Sequence, residues 1–159
     1  MKMGRIKLGM VGGGKGSFIG EVHRMAARLD GRYELLAGAF SANMKRAKES
    51  ALELGITETR SYSSYEIMAE MESALPDGIE VAIATPNHLH ATVAEAFLKK
   101  GIHVICDKPL TSNLADAEML AAVAKETGLV FAVTYNYSGY PMVRHCLLYT
   151  SDAADELRS

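Results

Sequence analysis

The chain has few cysteines, little net charge and no long apolar run, and each shortage excludes a class of protein. Its two cysteines, Cys106 and Cys146, are too few and too widely spaced for a disulfide framework or a metal site. The net charge is -2 with both signs mixed along the chain, which argues against a surface for nucleic acid or membranes. No apolar run approaches a membrane span or a signal-peptide core, so we expect a cytoplasmic protein.

The length and composition of the chain are those of a small α/β domain. With 159 residues, 48% of them hydrophobic and 23% charged, the chain can bury one sizeable core. Apolar strand-like runs alternate with longer segments of helical period, which predicts a single domain with a doubly wound parallel sheet of the Rossmann type. The predicted strands are 5–11, 33–40, 59–62, 80–84, 103–106 and 130–134. The predicted helices are 18–29, 44–54, 65–73, 90–100 and 113–127, with another beginning around Pro141.

A glycine-rich turn from Gly12 to Gly20 separates the first predicted strand from the first helix. Glycines there let the backbone approach a pyrophosphate, whose charge the amides of the helix N-terminus then meet. The fit to the dinucleotide pattern is imperfect because Ser17 stands at the third glycine position, with Gly16 and Gly20 as slipped alternatives. The other common phosphate loop is excluded, since no Gly-Lys-Ser/Thr follows at its spacing. A plain turn is the alternative interpretation.

Two further clusters follow predicted strands. The segment from Thr85 to His90 comes after the fourth strand, and Asp107-Lys108-Pro109 comes after the fifth. Pro109 biases the backbone of Lys108 away from the helical region, so the lysine leaves the strand end in a defined direction that suits proton transfer. Because ligands bind at the carboxyl ends of parallel strands, we expect all three clusters to converge on one crevice. A capping turn and a solvated lysine are the alternatives.

In this order and spacing, the three motifs resemble the N-terminal domain of the Gfo/Idh/MocA oxidoreductases, over residues 6 to about 144. The resemblance implies a domain that binds NAD or NADP and serves hydride transfer to or from a hydroxyl-bearing carbon of a sugar, cyclitol or related polyol. The usual Glu-Lys-Pro of the family appears here as Asp107-Lys108-Pro109. Lys108 would orient the substrate hydroxyl and the nicotinamide and share in the proton relay. Asp107 would hold that lysine, and no metal is implied.

The resemblance also implies two sets of binding residues. The cofactor-binding set is Gly12, Gly14, Gly16, Ser17, Phe18, Ile19, Ser41, Arg46, Thr85, Pro86, Asn87, His90, Lys108 and Pro109. The substrate-side set is Tyr135, Asn136 and Tyr137, for which a packing role is the alternative.

The end of the second predicted strand bears on the choice of cofactor. Many NAD-binding members carry an acid there to accept hydrogen bonds from the adenosine ribose, whereas this chain has Phe40-Ser41. With Lys45 and Arg46 close behind, the repulsion that would exclude a 2′-phosphate is missing, so both NAD and NADP stay open. Alternatively, the two cations belong to the solvated face of the next helix.

The C-terminus departs from the family pattern. Residues 146–156 resemble translated sequencing adapter, so we expect a native domain over 1–145 and a non-native tail over 146–159. The family's second, mainly antiparallel-sheet domain, which supplies the substrate pocket and the homo-oligomer interface, would then be absent. We therefore expect cofactor binding without turnover. The alternatives are a standalone nucleotide-binding or sensing module, and a doubly wound domain for another ligand such as a methyl donor.

Overall fold

A computed structural model describes residues 4–156, with side chains described as far as residue 150. Five strands form one all-parallel sheet in the order β2-β1-β3-β4-β5. The strands are β1 (Ile6–Gly12), β2 (Tyr33–Ala39), β3 (Glu80–Ala84), β4 (Val104–Cys106) and β5 (Phe131–Val133). The helices are α1 (Phe18–Leu29), α2 (Met44–Glu53), α3 (Tyr65–Ser73), α4 (His90–Lys99), α5 (Leu114–Thr127) and α6 (Pro141–Glu156).

Apolar side chains leave the sheet on both faces, which is why the strands are nearly continuous hydrophobic runs. Along β3, Val81 and Ile83 enter a larger core with α3, α4 and α5, while Ala82 enters a smaller one. That smaller core contains Leu8 and Met10 of β1 and lies on the side of α1 and α2. The predicted single-domain Rossmann-type fold is confirmed.

The predicted strand over 59–62 is wrong. A 3-10 turn occupies Glu58–Arg60, and only Ser61 forms a bridge, to Gly38 of β2. The reason is a side-chain network that the local pattern does not show. Arg60 and Tyr62 both bind the buried carboxylate of Glu72 on α3, which turns the segment toward that helix instead of along the sheet.

The order of the strands places a topological switch point at β1. The chain leaves β1 for β2 on one side and later enters β3 on the other, so Gly12 and Ala84 become neighbours at adjacent carboxyl ends. A crevice opens between the loops that diverge from such a point. The carboxyl ends of β4 and β5 follow along the same edge.

The last helix begins at Pro141 as predicted and continues through 146–156 of the predicted tail; residues 157–159 lie outside the described part of the chain. No described helix is long and apolar enough to cross a membrane.

Candidate functional site

A crevice of about 590 Å3 opens at the carboxyl ends of β1 and β3. Its wall combines the glycine-rich turn, the ends of β2 and β3, and the start of α3. Eight residues predicted to bind cofactor line it, namely Gly12, Gly14, Gly16, Ser17, Ser41, Arg46, Thr85 and Pro86. The wall also includes Lys15, Ser50 and the segment 63–66, which the sequence analysis did not identify.

Close approach of the main chain requires glycine at two positions of the turn, Gly12 and Gly20. A Cβ atom on Gly12 would lie 2.6 Å from the carbonyl oxygen of Ala84 on the neighbouring strand. A Cβ atom on Gly20 would overlap the main chain of Gly13, so Gly20 provides the tight packing between turn and helix. Ser17 is the N-cap of α1, and its Oγ accepts from the Gly20 amide at 3.2 Å. In this turn, Ser17 caps the helix and Gly20 takes the place of the third glycine of the dinucleotide pattern, which packs closely against the turn.

The residues around the turn fit a dinucleotide. The backbone cradle excludes side chains, and α1 begins beside it with the positive end of its dipole toward the crevice. Arg24 is buried beneath the turn and donates to the Gly13 carbonyl. Thr85 in the wall has a buried Oγ1 with no hydrogen-bond partner among the described groups. Phe18 is 80% exposed and lies outside the wall, so its side chain has no part in this fit.

Replacing Gly12 by Ala should cost more stability than replacing Gly31 by Ala. Both glycines have positive φ, 72° and 65°, so the backbone strain in an alanine is matched at about 1–2 kcal/mol. Only Gly12 has atoms in the way, since a Cβ on Gly31 would meet nothing within 4 Å. Urea unfolding of both variants measures the difference. Equal losses would show that the approach of Gly12 to β3 carries no energetic weight.

Lys45 and Arg46 lie in the first turn of α2, and the structure gives them different surroundings. Arg46 lines the crevice, and its guanidinium donates to the Lys15 carbonyl at 3.4 Å. Lys45 is exposed and does not line it, as the alternative of a solvated helix face predicts. Ser41 accepts from the Asn43 amide at 3.1 Å and stands in the wall where an acid would bind the ribose.

The turn after β4 presents Lys108 to solvent, and the Lys108–Pro109 peptide bond is cis. The prediction that Asp107 holds this lysine is corrected by the structure. Asp107 is 14% exposed, accepts from Thr134 Oγ1 at 2.9 Å, and lies 3.7 Å from His23 Nε2. Its carboxylate is therefore directed between β5 and α1, because those polar groups satisfy it there. Lys108 forms no hydrogen bond or ion pair within the part of the chain that the structure describes.

His23 is a residue that the sequence analysis missed. Its side chain is only 11% exposed and faces Asp107. Burial lowers the pKa of His23, and the Asp107 carboxylate partly opposes that shift. The available signal was a histidine on the sheet-facing side of α1, one turn after Gly20. His23 and Thr134 thus hold Asp107, the residue that directly precedes Lys108 at the end of β4.

The lowered pKa of His23 predicts a stability that increases with pH. Below its ordinary pKa of 6.5, the unfolded ring takes up a proton more readily than the folded ring, so acid favours unfolding. We expect the wild-type chain to lose more unfolding free energy than His23→Gln when the pH falls from about 7.5 to about 5.5. Urea titrations at both pH values measure this. An identical pH dependence in the two chains would contradict the assignment.

Several predicted residues lie outside the crevice wall. The ring of His90, predicted to border the cofactor, is fully buried and does not line the wall. Asn87 is exposed at the start of a 3-10 turn. Ile19, Asn87, Lys108 and Pro109 do not line the wall. Tyr135, Asn136 and Tyr137 follow β5 and are exposed, with the Tyr137 ring edge-on to Tyr140, so they are not core packing residues.

Cys106 ends β4 as a fully buried residue, as its apolar surroundings predict. Burial, with a smaller effect from the Asp107 carboxylate, raises the pKa of its thiol to about 12. Such a thiol is unreactive at neutral pH. Among the described residues, no group of three His, Cys, Asp or Glu side chains could hold a metal ion.

The comparisons with known proteins agree with this geometry. A family model described as "Oxidoreductase family, NAD-binding Rossmann fold" matches residues 6–135, which include all three motifs. The chain belongs to the Gfo/Idh/MocA family of oxidoreductases. The predicted family resemblance is thereby confirmed, and with it a domain of the NAD-binding Rossmann type.

Relatives within the Gfo/Idh/MocA family have been solved at high similarity. An oxidoreductase from Sinorhizobium meliloti is 58% identical with a TM-score of 0.85, covering 89% of this chain and 40% of that one. An inositol dehydrogenase homolog from Azotobacter vinelandii, complexed with NAD+, is 39% identical with a TM-score of 0.90, covering 95% and 39%. The same homolog is also known with NADH and myo-inositol. An uncharacterized oxidoreductase of Bacillus subtilis, YfiI, is 40% identical over 87% of this chain and 36% of its own length. The chain thus spans about two fifths of these Gfo/Idh/MocA relatives.

Proposed function

We propose that this chain is the cofactor-binding domain of an NAD(P)-dependent oxidoreductase that transfers hydride to or from a hydroxyl-bearing carbon of a sugar, cyclitol or related polyol. The observation that carries the proposal is a glycine cradle at the switch point of the sheet, two strands from an exposed, unpaired Lys108. The Azotobacter vinelandii relative, complexed with NADH and myo-inositol, supports this class of substrate.

The roles of the residues follow from their positions. Gly12, Gly14 and the first amides of α1 would hold the pyrophosphate, and a bound nicotinamide supplies the hydride acceptor or donor. Alcohol oxidation must release a proton as hydride leaves. The ammonium of Lys108 would stabilise the developing alkoxide by donating a hydrogen bond to it, and in the reverse reaction it would donate its proton to that oxygen. Because this side chain has no protein partner in the described part of the chain, it is available to a substrate hydroxyl.

The crevice wall after β2 should allow both NAD and NADP to bind. Ser41 offers no negative charge to repel a 2′-phosphate, and Arg46 beside it offers a positive one. We expect Arg46→Ala to lower the affinity for NADPH about tenfold and to leave that for NADH nearly unchanged. Titrations of protein fluorescence with each cofactor measure the two affinities, and Lys45→Ala is the matched control. An equal loss for both cofactors would contradict a 2′-phosphate contact.

The proposal includes the extent of the domain. Residues 1–145 form the native cofactor-binding unit, and 146–159 are a non-native tail derived from adapter sequence. The substrate pocket and the homo-oligomer interface would then belong to the rest of the parent protein. The 159-residue chain should therefore bind NAD(P) and show no turnover with polyols.

Calorimetry of the purified chain with NAD+, NADH, NADP+ and NADPH tests the central claim. We expect binding of at least one reduced cofactor, and loss of that binding in Gly14→Val, whose side chain would collide with Ser50 Oγ. Tighter binding of an adenosine-containing methyl donor would overturn the proposal. Hydride transfer by the 159-residue chain with any polyol would overturn its inactive-fragment part.

A further inference from the structure

His90 occupies an unusual place between two of the sequence motifs. It is the first residue of α4, and its ring is fully buried, outside the crevice wall. A polar ring in such a place must find hydrogen-bond partners, because a buried polar group without one is costly. Both of its partners are main-chain carbonyl oxygens.

The two ring nitrogens of His90 point to two different loops. Nδ1 lies 2.7 Å from the carbonyl oxygen of Pro109, and Nε2 lies 3.1 Å from that of Thr85. A carbonyl oxygen accepts a hydrogen bond from whichever ring nitrogen carries a proton, and both nitrogens lie within hydrogen-bond distance of one. The ring then spans the gap between the loop after β3 and the loop after β4.

In the part of the chain that the structure describes, no other hydrogen bond joins the loop after β3 to the loop after β4. The sheet itself joins the two strands as far as the Asp107 amide, which donates to the Ile83 carbonyl at 3.0 Å. Beyond that point the two loops diverge, and the ring of His90 lies between them, within hydrogen-bond distance of a carbonyl oxygen of each. Thr85 belongs to the crevice wall, and Pro109 directly follows Lys108.

We propose that His90 is a positioning residue that sets the distance between the crevice wall at Thr85 and the turn that carries Lys108. This inference rests on the proposed function, since it concerns the site where cofactor and substrate would meet. The adenosine half of a dinucleotide belongs to the side of the glycine-rich turn and β2. The nicotinamide half therefore belongs to the side of β3 and β4, where His90 acts.

The division of the crevice yields a test on the 159-residue chain. Affinities for NADH and for ADP-ribose are measured by calorimetry in the wild type and in three variants of His90. His90→Asn retains a donor near Nδ1, His90→Gln retains one near Nε2, and His90→Ala retains neither. Lys99→Ala is the control, since Lys99 is exposed at the far end of the same helix and pairs with Glu95 on that helix.

Each variant loses the contact with at least one of the two carbonyl oxygens, and a side chain that contacts only one loop cannot hold the two loops at a set distance. The three variants should therefore show the same change in affinity. We expect NADH affinity to fall about tenfold and ADP-ribose affinity to stay within about threefold. His90→Asn and His90→Gln fill most of the ring volume, so the test does not depend on the alanine variant folding.

Equal losses for NADH and ADP-ribose would overturn the positioning role in favour of a merely structural one. Wild-type NADH affinity in both His90→Asn and His90→Gln would overturn it as well. A wild-type chain that binds neither ligand would instead overturn the proposed function itself.

Discussion

Replacing Lys108 by Ala in a full-length enzyme that carries this domain should lower kcat about 10²- to 10⁴-fold and change cofactor affinity by less than about threefold. The expected asymmetry follows from where the side chain lies. Lys108 is exposed just after β4, forms no hydrogen bond or ion pair with a described protein group, and does not line the crevice in which the cofactor would bind. Its proposed catalytic interaction is made with the reacting hydroxyl.

Steady-state kinetics with a polyol substrate, together with cofactor titrations, measure the two effects separately. Lys125→Ala is a suitable control, because Lys125 is likewise an exposed lysine but lies in the last turn of α5. A loss of turnover matched by an equal loss of cofactor affinity would assign Lys108 to binding. Unchanged turnover would remove it from the mechanism.

Replacing Glu72 by Ala should destabilise the chain by about 3–5 kcal/mol, a large share of the stability of a domain of this size. The carboxylate of Glu72 is fully buried, and it accepts from Arg60 Nε at 3.0 Å and from the Tyr62 hydroxyl at 2.7 Å. A second Arg60 nitrogen also binds it. Removal of this carboxylate deprives the Arg60 guanidinium, which is only 16% exposed, of its main partner. It also leaves the buried Tyr62 hydroxyl without an acceptor.

The same network affects the crevice. Burial and the neighbouring carboxylate raise the pKa of Tyr62, which keeps the phenol protonated as the donor. Tyr62 immediately precedes the wall segment 63–66, so Glu72→Ala should also weaken cofactor binding. Glu70→Ala is the matched control, because Glu70 on the same helix is 67% exposed and pairs with Lys100 at the surface. Urea unfolding should show a loss below about 1 kcal/mol for Glu70→Ala. Similar losses of unfolding free energy in both variants would contradict the argument that the burial of Glu72 makes its ion pair important for stability.

Much of the fold was predictable because its signals are local. Helix α1 and strand β3 have the bounds that the hydrophobic pattern predicts. Helix α5 begins after Asn113, whose side chain accepts from the Asp116 amide at 2.9 Å in the way a capping residue should. Each of these features depends on residues within one or two turns, so the sequence contains the whole cause.

Part of the candidate site was predictable for a different reason. In a parallel sheet the carboxyl ends of all strands lie at one edge, which converts the order of motifs along the chain into a common location. That rule brought Ser17, Ser41 and Thr85 into one wall. It does not specify side-chain directions, and the ring of His90 is buried instead of lining the crevice.

By itself, the sequence determined the alternation of strands and helices, the glycine turn at the end of β1, and the presence of Lys108 at a strand end, because these depend on backbone propensity and hydrophobic period. Only the tertiary structure decided which polar groups are partners. Asp107 meets Thr134 and His23 instead of Lys108, and Arg60 meets Glu72 instead of extending the sheet. The physical reason is that buried polar groups must be satisfied, and their partners come from elements that are distant in sequence and become neighbours only when the sheet is assembled.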